Sequence, residues 1–167
     1  RAQYGEPLLA SRVLLHPERR FAAKDETTSD MAAKAALKAI GQAKISPKEI
    51  NLILVATATP DMLFPATACF VQKKIGATNA ACLDVSAACA GFLFALEIAQ
   101  QFITSHTHDT VLVIGAEKLT SITNWTDRNT CVLFGDGAGA VVLERVPEGG
   151  MLGEAPKRIC QAALGQC

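Results

Sequence analysis

The stretch that most constrains the fold is residues 83–99, which read LDVSAACAGFLFALEIA. A partly β-branched apolar run ends at Ser86, small residues follow, and apolar side chains then recur at helical spacing. This pattern predicts a strand, a sharp turn and a helix that begins at or near Cys89. A thiol there faces unpaired N–H groups and the positive end of the helix dipole, which favour the thiolate. Because the neighbouring side chains are small, a ligand carbonyl has room to approach, and Cys89 becomes a candidate nucleophile.

Apolar runs alternate with helical patterns along the rest of the chain. The predicted strands are residues 50–57, 80–85, 110–115 and 139–146. The predicted helices begin after an N-cap at Ser29, span residues 66–75 before Gly76, and run from Cys89 to about Ser105. The first strand is apolar throughout, which is typical of an interior parallel strand. We therefore predict an α/β fold with a mostly parallel sheet of about four strands and three helices.

Composition excludes several classes of function. Half of the 167 residues are apolar and the formal net charge is zero, so no electrostatic attraction to nucleic acid or to an anionic membrane surface is expected. No apolar run approaches the roughly 20 residues of a membrane-spanning helix, and no export signal opens the sequence, so we expect a soluble, cytoplasmic protein. The six cysteines show neither metal-ligand spacing nor a disulfide framework, and we expect reduced thiols and no metal.

Four segments resemble a known family. The AACAGF turn at Cys89, GAEKL at 115–119, TDRNT at 126–130 and FGDGAGAVVLE at 134–144 resemble, in order and spacing, the ketoacyl-acyl carrier protein synthase III family of the thiolase-like superfamily. Taken alone, the turn leaves open that Cys89 is a buried space-filling thiol, and the resemblance favours the nucleophile. It implies that residues 18–146 form the N-terminal βαβαβ half of a duplicated, layered thiolase-like domain. Residues 1–17 and 147–167 are unmatched segments.

The resemblance also implies an activity. In that family the cysteine, here Cys89, takes an acyl group from an acyl-CoA, and a carbanion from malonyl-acyl carrier protein then attacks the acyl-enzyme to give a 3-ketoacyl product that initiates fatty acid synthesis. The coenzyme A thioester is a substrate, and no cofactor is implied. The family's histidine and asparagine come from its second half, whose motifs are missing from this sequence. We therefore expect a truncated form that does not complete the condensation alone.

Binding residues follow from the same resemblance. Arg128 matches the family arginine that contacts the nucleotide end of coenzyme A, although an exposed arginine is more often simply solvated. The opposite side of that clamp departs from the family, because Leu9 and Val13 stand where it has tryptophan and arginine.

Three apolar side chains match the family's acyl pocket, although by their spacing alone each is more often an ordinary core residue. Phe64 matches the loop that crosses a dimer interface to line the partner's pocket, and Leu119 and Phe134 match the pocket wall of the same chain. The resemblance thus implies a homodimer.

The glycine-rich segment at 135–139, GDGAG, invites a phosphate-binding interpretation. A dinucleotide-binding fingerprint follows a strand and opens a helix, whereas this segment precedes a predicted strand and lacks the lysine of a P-loop. We therefore predict no phosphate site here and expect the glycines to allow tight turns beside the active site.

Two alternatives to the synthase interpretation remain open. The chain could be a non-catalytic half-fold that pairs with another synthase chain through the Phe64 loop and an edge strand, or an unstable rearrangement product that aggregates through an uncovered apolar face. Within the superfamily, a chalcone-synthase-like or other thiolase-like condensing enzyme is the second candidate. Acylation of Cys89 distinguishes the enzyme from the interaction module.

Overall fold

A mixed sheet organises the chain in the computed structural model, which describes residues 18–145 and 158–161. Within these residues the sheet has five strands in the order β2-β1-β3-β4-β5. The strands are β1 (Leu52–Ala56), β2 (Ala81–Val85), β3 (Thr110–Lys118), β4 (Asp136–Glu144) and β5 (Arg158–Gln161). β1 is parallel to β2 and to β3, whereas β4 is antiparallel to both β3 and β5. All of these strands except β4 therefore share one direction, which confirms the predicted α/β class and mostly parallel sheet.

The two faces of the sheet are covered by different helices, namely α1 (Thr28–Ala43), α2 (Thr67–Ile75) and α3 (Gly91–Thr104). Every residue of β1 is buried, as expected for an interior parallel strand. Its alternate side chains separate the core into two layers. Ile53 and Val55 pack with α1 and α2 on one face, and Leu52 and Leu54 pack with α3 on the other.

The start of α1 differs from the prediction. Thr27, not Ser29, is the N-cap, because its hydroxyl accepts from the amide of Asp30 while the Asp30 carboxylate accepts from the amide of Thr27. Ser29 lies inside the first turn, fully buried, where it donates to Asp61. α2 ends as predicted, because Gly76 takes the left-handed conformation at its C-cap with φ of 75°.

The glycine-rich segment also differs from the prediction. β4 begins at Asp136, so Gly137 and Gly139 lie inside a strand, paired with Glu117 and Gly115 of β3, and not in tight turns. The long antiparallel pairing with β3 determines this extended conformation. The close approach is at Gly135, where an added Cβ would lie 3.0 Å from the carbonyl oxygen of Arg20.

The boundaries predicted between the matched segment 18–146 and the unmatched segments on either side of it remain predictions. Residues 1–17, 146–157 and 162–167 lie outside the described residues, and with them lie Leu9, Val13 and the proposed boundary at 146. β5, which was not predicted, lies in the tail expected to be unmatched, and it pairs with β4. Among the helices that the structure describes, none has both the length and the apolar character needed to cross a bilayer.

Candidate active site

The predicted site residues lie along one edge of the sheet, the edge formed by the carboxyl ends of its parallel strands. The parallel strands β1, β2 and β3 end at this edge, and their register places Ala56 beside Val85 and Gly115. The segments that leave these strands are the loop 57–66, the turn that carries Cys89, and the 3₁₀ turn Leu119–Ser121. Ligand sites of open α/β sheets lie at the carboxyl ends of the strands. We call this the site edge.

Cys89 lies at the site edge, in the turn that follows β2. It occupies a single 3₁₀ turn, Ala88–Ala90, between β2 and α3, and it is exposed. The preceding residue, Ala88, has φ of 46°, a left-handed conformation that is unfavourable for a residue with a Cβ. Such strain is typical of functional turns. α3 follows without a side-chain cap from its N-cap residue Ala90, so no side-chain oxygen of that residue competes with a ligand for the first-turn amides.

Close packing fixes the position of the Cys89 turn. Gly91 is buried, and a Cβ there would lie 3.3 Å from the Cβ of Ala56 and 3.7 Å from the carbonyl oxygen of Val85. The start of α3 therefore rests directly on the ends of β1 and β2. One residue later, Phe92 packs onto Gly115 of β3, where an added Cβ would lie 3.3 Å from its ring. The nucleophile candidate is thus held by rigid elements and not by a free loop.

Phe64 lies at the tip of the loop that follows β1. We call residues 57–66 the Phe64 loop. Leu63 is 98% exposed and Phe64 is 86% exposed, so neither packs into the core of its own chain. The base of the loop is fixed to β3, because the buried side chains of Thr57 and Thr59 donate their hydroxyls to the carboxylate of Glu117. The structure therefore brings Phe64 to the site edge without placing it in a pocket of the same chain.

Leu119 and Phe134 lie where the end of β3 pairs with the start of β4. Lys118 of β3 is opposite Asp136 of β4, so Leu119 just after β3 and Phe134 just before β4 are both at the site edge. The carboxylate of Asp136 accepts from the amide and hydroxyl of Thr120, at 2.9 and 2.6 Å, which fixes this turn. Leu119 is half-buried and Phe134 is exposed.

Arg128 lies in the connection between these two positions and is exposed. The turn around it is held by Asp127, whose carboxylate accepts from the amide of Asn129 at 3.0 Å and from the hydroxyl of Thr130 at 2.8 Å. These hydrogen bonds, that of the Asn129 amide first, lower the pKa of Asp127. The turn therefore presents the neighbouring guanidinium to solvent from a defined backbone.

Several site-edge contacts were missed from the sequence. Asp136 accepts from the amide of Ala22 at 2.9 Å and donates its own amide to Arg20 at 2.8 Å, which fastens the segment before α1 to β4. Phe21 of that segment packs edge-to-face on Trp125, with ring centroids 5.3 Å apart. The sequence signal available was a carboxylate between two glycines at a strand start, but Ala22 and Arg20 lie more than 100 residues away in the chain.

The described histidines are far from this edge. His106 and His108 lie between the end of α3 and the start of β3, at the opposite edge of the sheet. His106 contacts Arg145 there, and His108 packs on Phe102. Within residues 18–145, no group of three or more potential metal ligands is arranged to hold an ion.

Comparison with known proteins gives one consistent result. The family model for 3-oxoacyl-[acyl-carrier-protein (ACP)] synthase III matches residues 83–157. The β-ketoacyl-[acyl-carrier-protein] synthase III of Caldanaerobacter subterraneus subsp. tengcongensis is 55% identical over 137 residues, which are 81% of this chain and 41% of that protein. The Geobacillus kaustophilus protein of the same name is 58% identical over 132 residues, 79% of this chain and 43% of that protein.

Solved structures agree with the sequence comparison. The crystal structure of 3-oxoacyl-[acyl-carrier-protein] synthase III from Aquifex aeolicus superposes with a TM-score of 0.75 at 53% identity, covering 78% of this chain and 42% of that one. The priming β-ketosynthase of the R1128 polyketide pathway gives a TM-score of 0.72 at 41% identity, covering 74% and 37%. The chain thus spans about two fifths of the length of its curated relatives, 41% and 43% in the two cases above. On these matches the chain belongs to the 3-oxoacyl-[acyl-carrier-protein] synthase III family, with a thiolase-like fold, and corresponds to the N-terminal part of its members.

Proposed function

We propose that this chain carries the acyl-accepting site of a 3-oxoacyl-[acyl-carrier-protein] synthase III and that Cys89 is its nucleophile. The observation that carries the proposal is the exposed thiol of Cys89 on a strained turn between β2 and α3. Packing of Gly91 on the ends of β1 and β2 holds that thiol in place, and the small neighbours Ala88 and Ala90 leave it accessible.

The first chemical step is a thioester exchange. The Cys89 thiolate attacks the carbonyl carbon of an acyl-CoA, the carbon–sulfur bond to coenzyme A breaks, and coenzyme A leaves as a thiolate that takes up a proton. The product is acyl-Cys89. Backbone N–H groups at the start of α3 are suitably placed to stabilise the oxyanion, because a helix N-terminus favours negative charge.

The second step is condensation with malonyl-acyl carrier protein. The carbanion formed on decarboxylation attacks the acyl-Cys89 carbonyl, releases the thiolate and gives the 3-ketoacyl product. Groups that stabilise the enolate are required, and His106 and His108 at the opposite edge of the sheet do not reach Cys89. We therefore assign the first step to the described residues and expect the second to need partners beyond them.

The remaining site-edge residues receive roles in binding. We propose that Arg128 contacts the nucleotide end of coenzyme A, and that Leu119 and Phe134 form the wall of the acyl pocket. Phe64, exposed on its own chain, would line the pocket of a second copy in a homodimer. The proposal includes no metal and no cofactor, since the coenzyme A thioester is a substrate, and it places the reaction in the cytoplasm.

Intact-mass measurement and peptide mapping after incubation with acetyl-CoA test the proposal. We expect one acetyl group, confined to Cys89 and absent from Cys89→Ala, whereas Cys131→Ala serves as the matched control and acetylates normally. We expect Arg128→Ala to reduce the apparent affinity for acetyl-CoA about tenfold, the equivalent of about 1.4 kcal/mol. A folded chain whose Cys89 reacts with iodoacetamide but with no acyl-CoA would contradict the proposal.

A second function is favoured by one observation. The tip of the Phe64 loop presents Leu63 and Phe64 almost fully to solvent, and β2 is an edge strand next to it within the described sheet. A non-catalytic module that associates with another synthase chain would use these features. Association without acylation of Cys89, measured by sedimentation alongside the mass experiment, would favour this function over the enzyme.

A further inference from the structure

One carboxylate connects the strand that carries Cys89 with the helix that follows the Phe64 loop. Asp84 lies on β2, and its two oxygens accept from the first two amides of α2, those of Thr67 at 2.6 Å and Ala68 at 2.9 Å. The N-cap residue of α2, Ala66, provides no side-chain hydrogen bond. Asp84 therefore caps α2 from a neighbouring strand.

The position of Asp84 in the chain gives this cap a further consequence. Asp84 is five residues before Cys89, and Thr67 is three residues after Phe64. A single side chain thus fixes the end of the Phe64 loop to the strand that leads into the nucleophile turn.

The start of the loop is fixed in a similar way. The Glu117 carboxylate on β3 accepts from the amide of Ala58 at 2.8 Å and from the hydroxyl of Thr59 at 2.7 Å. Asp61 accepts from the amide of Ser29 at 2.9 Å, so the loop is also held to the start of α1. Between these attachments only the tip, with Leu63 and Phe64, is unsupported by its own chain.

We propose that Asp84 is a positioning residue that sets the acyl-chain selectivity of the Cys89 site by fixing the Phe64 loop relative to β2. The inference rests on the proposed function, because it takes Phe64 as a wall of the acyl pocket. In an isologous dimer, the position of each loop on its own sheet determines how far Phe64 projects into the opposite pocket. Freeing the end of the loop changes the pocket without changing the thiol.

The test compares acylation of Cys89 by acetyl-CoA and by hexanoyl-CoA in the wild type, Asp84→Asn and Asp84→Ala. We expect Asp84→Ala to reduce the ratio of the acetyl-CoA rate to the hexanoyl-CoA rate about tenfold, the lower end of the discrimination that one methylene group provides in an apolar pocket. Asp84→Asn keeps one acceptor oxygen, so its rate ratio should lie between those of the wild type and Asp84→Ala. The rate of Cys89 alkylation by iodoacetamide should change by less than about twofold, since the thiol's own turn is intact.

Two further variants separate positioning from general destabilisation. Asp109→Asn is the matched control, because Asp109 is an exposed carboxylate paired with Arg145 at the opposite edge of the sheet. The rate ratio of this variant should equal that of the wild type. Phe64→Ala should lower the rate ratio as Asp84→Ala does, and the two changes combined should not add, because they act on one wall.

The outcomes distinguish this inference from the function on which it rests. A wild-type chain that no acyl-CoA acylates overturns the proposed function and this inference with it. Acylation with an unchanged rate ratio in Asp84→Ala overturns the inference alone. If Asp84→Ala does not fold, Asp84→Asn decides between the same two results.

Discussion

At the scale of single residues, the surroundings of two cysteines separate their chemistry. Cys89 is exposed on its strained turn, whereas Cys82 is partly buried on β2. Burial, with a further contribution from the neighbouring thiol of Cys69, raises the pKa of Cys82 to about 12. A thiol with that pKa contains almost no thiolate at neutral pH, and the thiolate is the species that reacts.

We therefore predict selective alkylation. At about pH 8, iodoacetamide should modify Cys89 at least tenfold faster than Cys82, because the thiolate fraction of Cys82 is on the order of one in ten thousand. Peptide mapping of a time course measures both rates in one sample. In Cys89→Ala the slow modification of Cys82 should be unchanged, and comparable rates at the two positions would contradict the prediction.

Single residues also show how far the sequence determines the site. The small-residue turn at Cys89 was predictable from residues 83–99, because the change from strand to helical spacing is local. The left-handed φ of Ala88 was not, since nothing in the local pattern selects it. Asp84 and Glu117 were not identified either, because their partners lie 16 to 59 residues away in the chain and are brought near only by the sheet. The roles of Arg128, Leu119 and Phe134 remain predictions.

At the scale of elements, local signals were reliable where no distant partner competed with them. The apolar run of β1 and the glycine at the end of α2 gave the right elements because burial on two faces and the left-handed cap are encoded locally. Residues 136–138 read locally as turn, and pairing with β3 made them strand. Ser29 is a good N-cap by residue type, but Thr27 replaced it because Asp30 completes a capping box.

The capping box at α1 leads to a prediction about acid stability. A hydrogen bond from Lys74, followed by those from Thr27, lowers the pKa of Asp30 from 3.8 to about 2. A carboxylate with a lowered pKa in the folded state stabilises that state above its unfolded pKa. This stabilisation is lost as the pH falls from 3.8 towards about 2.

Urea denaturation of the wild type and Asp30→Asn across this range measures the effect. The wild type should be more stable than Asp30→Asn near neutral pH, and the difference should shrink below pH 3.8 and vanish only below about 2. The hydrogen bond with Lys34 also lowers the pKa of Glu26, so Glu26→Gln is measured in parallel to separate the contribution of this second carboxylate from that of Asp30. A difference that is the same at every pH would show that the Asp30 carboxylate does not contribute through its charge.

At the scale of the whole molecule, α3 is apolar on more than one side. The stripe that faces the sheet consists of Gly91, Ala95, Ala99 and Ile103. Away from the sheet, Leu93 is 68% exposed and Phe94 is 56% exposed, and a groove of about 370 Å³ runs along the C-terminal half of the helix. A helix that is apolar around most of its circumference is usually covered on both sides. The chain spans 41% of the Caldanaerobacter relative, so further sequence is available in that protein to provide a cover.

The exposed side of α3 should therefore make this chain associate. We predict that Leu93→Gln combined with Phe94→Gln reduces both the binding of a hydrophobic fluorescent dye and the concentration-dependent increase in sedimentation coefficient, because exposed apolar patches drive association. The fold should be retained, since neither side chain contributes to the buried stripe of α3.

The control is Leu37→Gln, on the solvent face of α1, where an exposed leucine lies outside any such helix-wide apolar surface. It should leave dye binding and sedimentation unchanged. If the α3 double variant associates as strongly as the wild type, the association must instead come from another surface, of which the tip of the Phe64 loop is the best candidate. Leu63→Gln would then abolish association while leaving dye binding to α3 intact, so the two surfaces can be assigned separately.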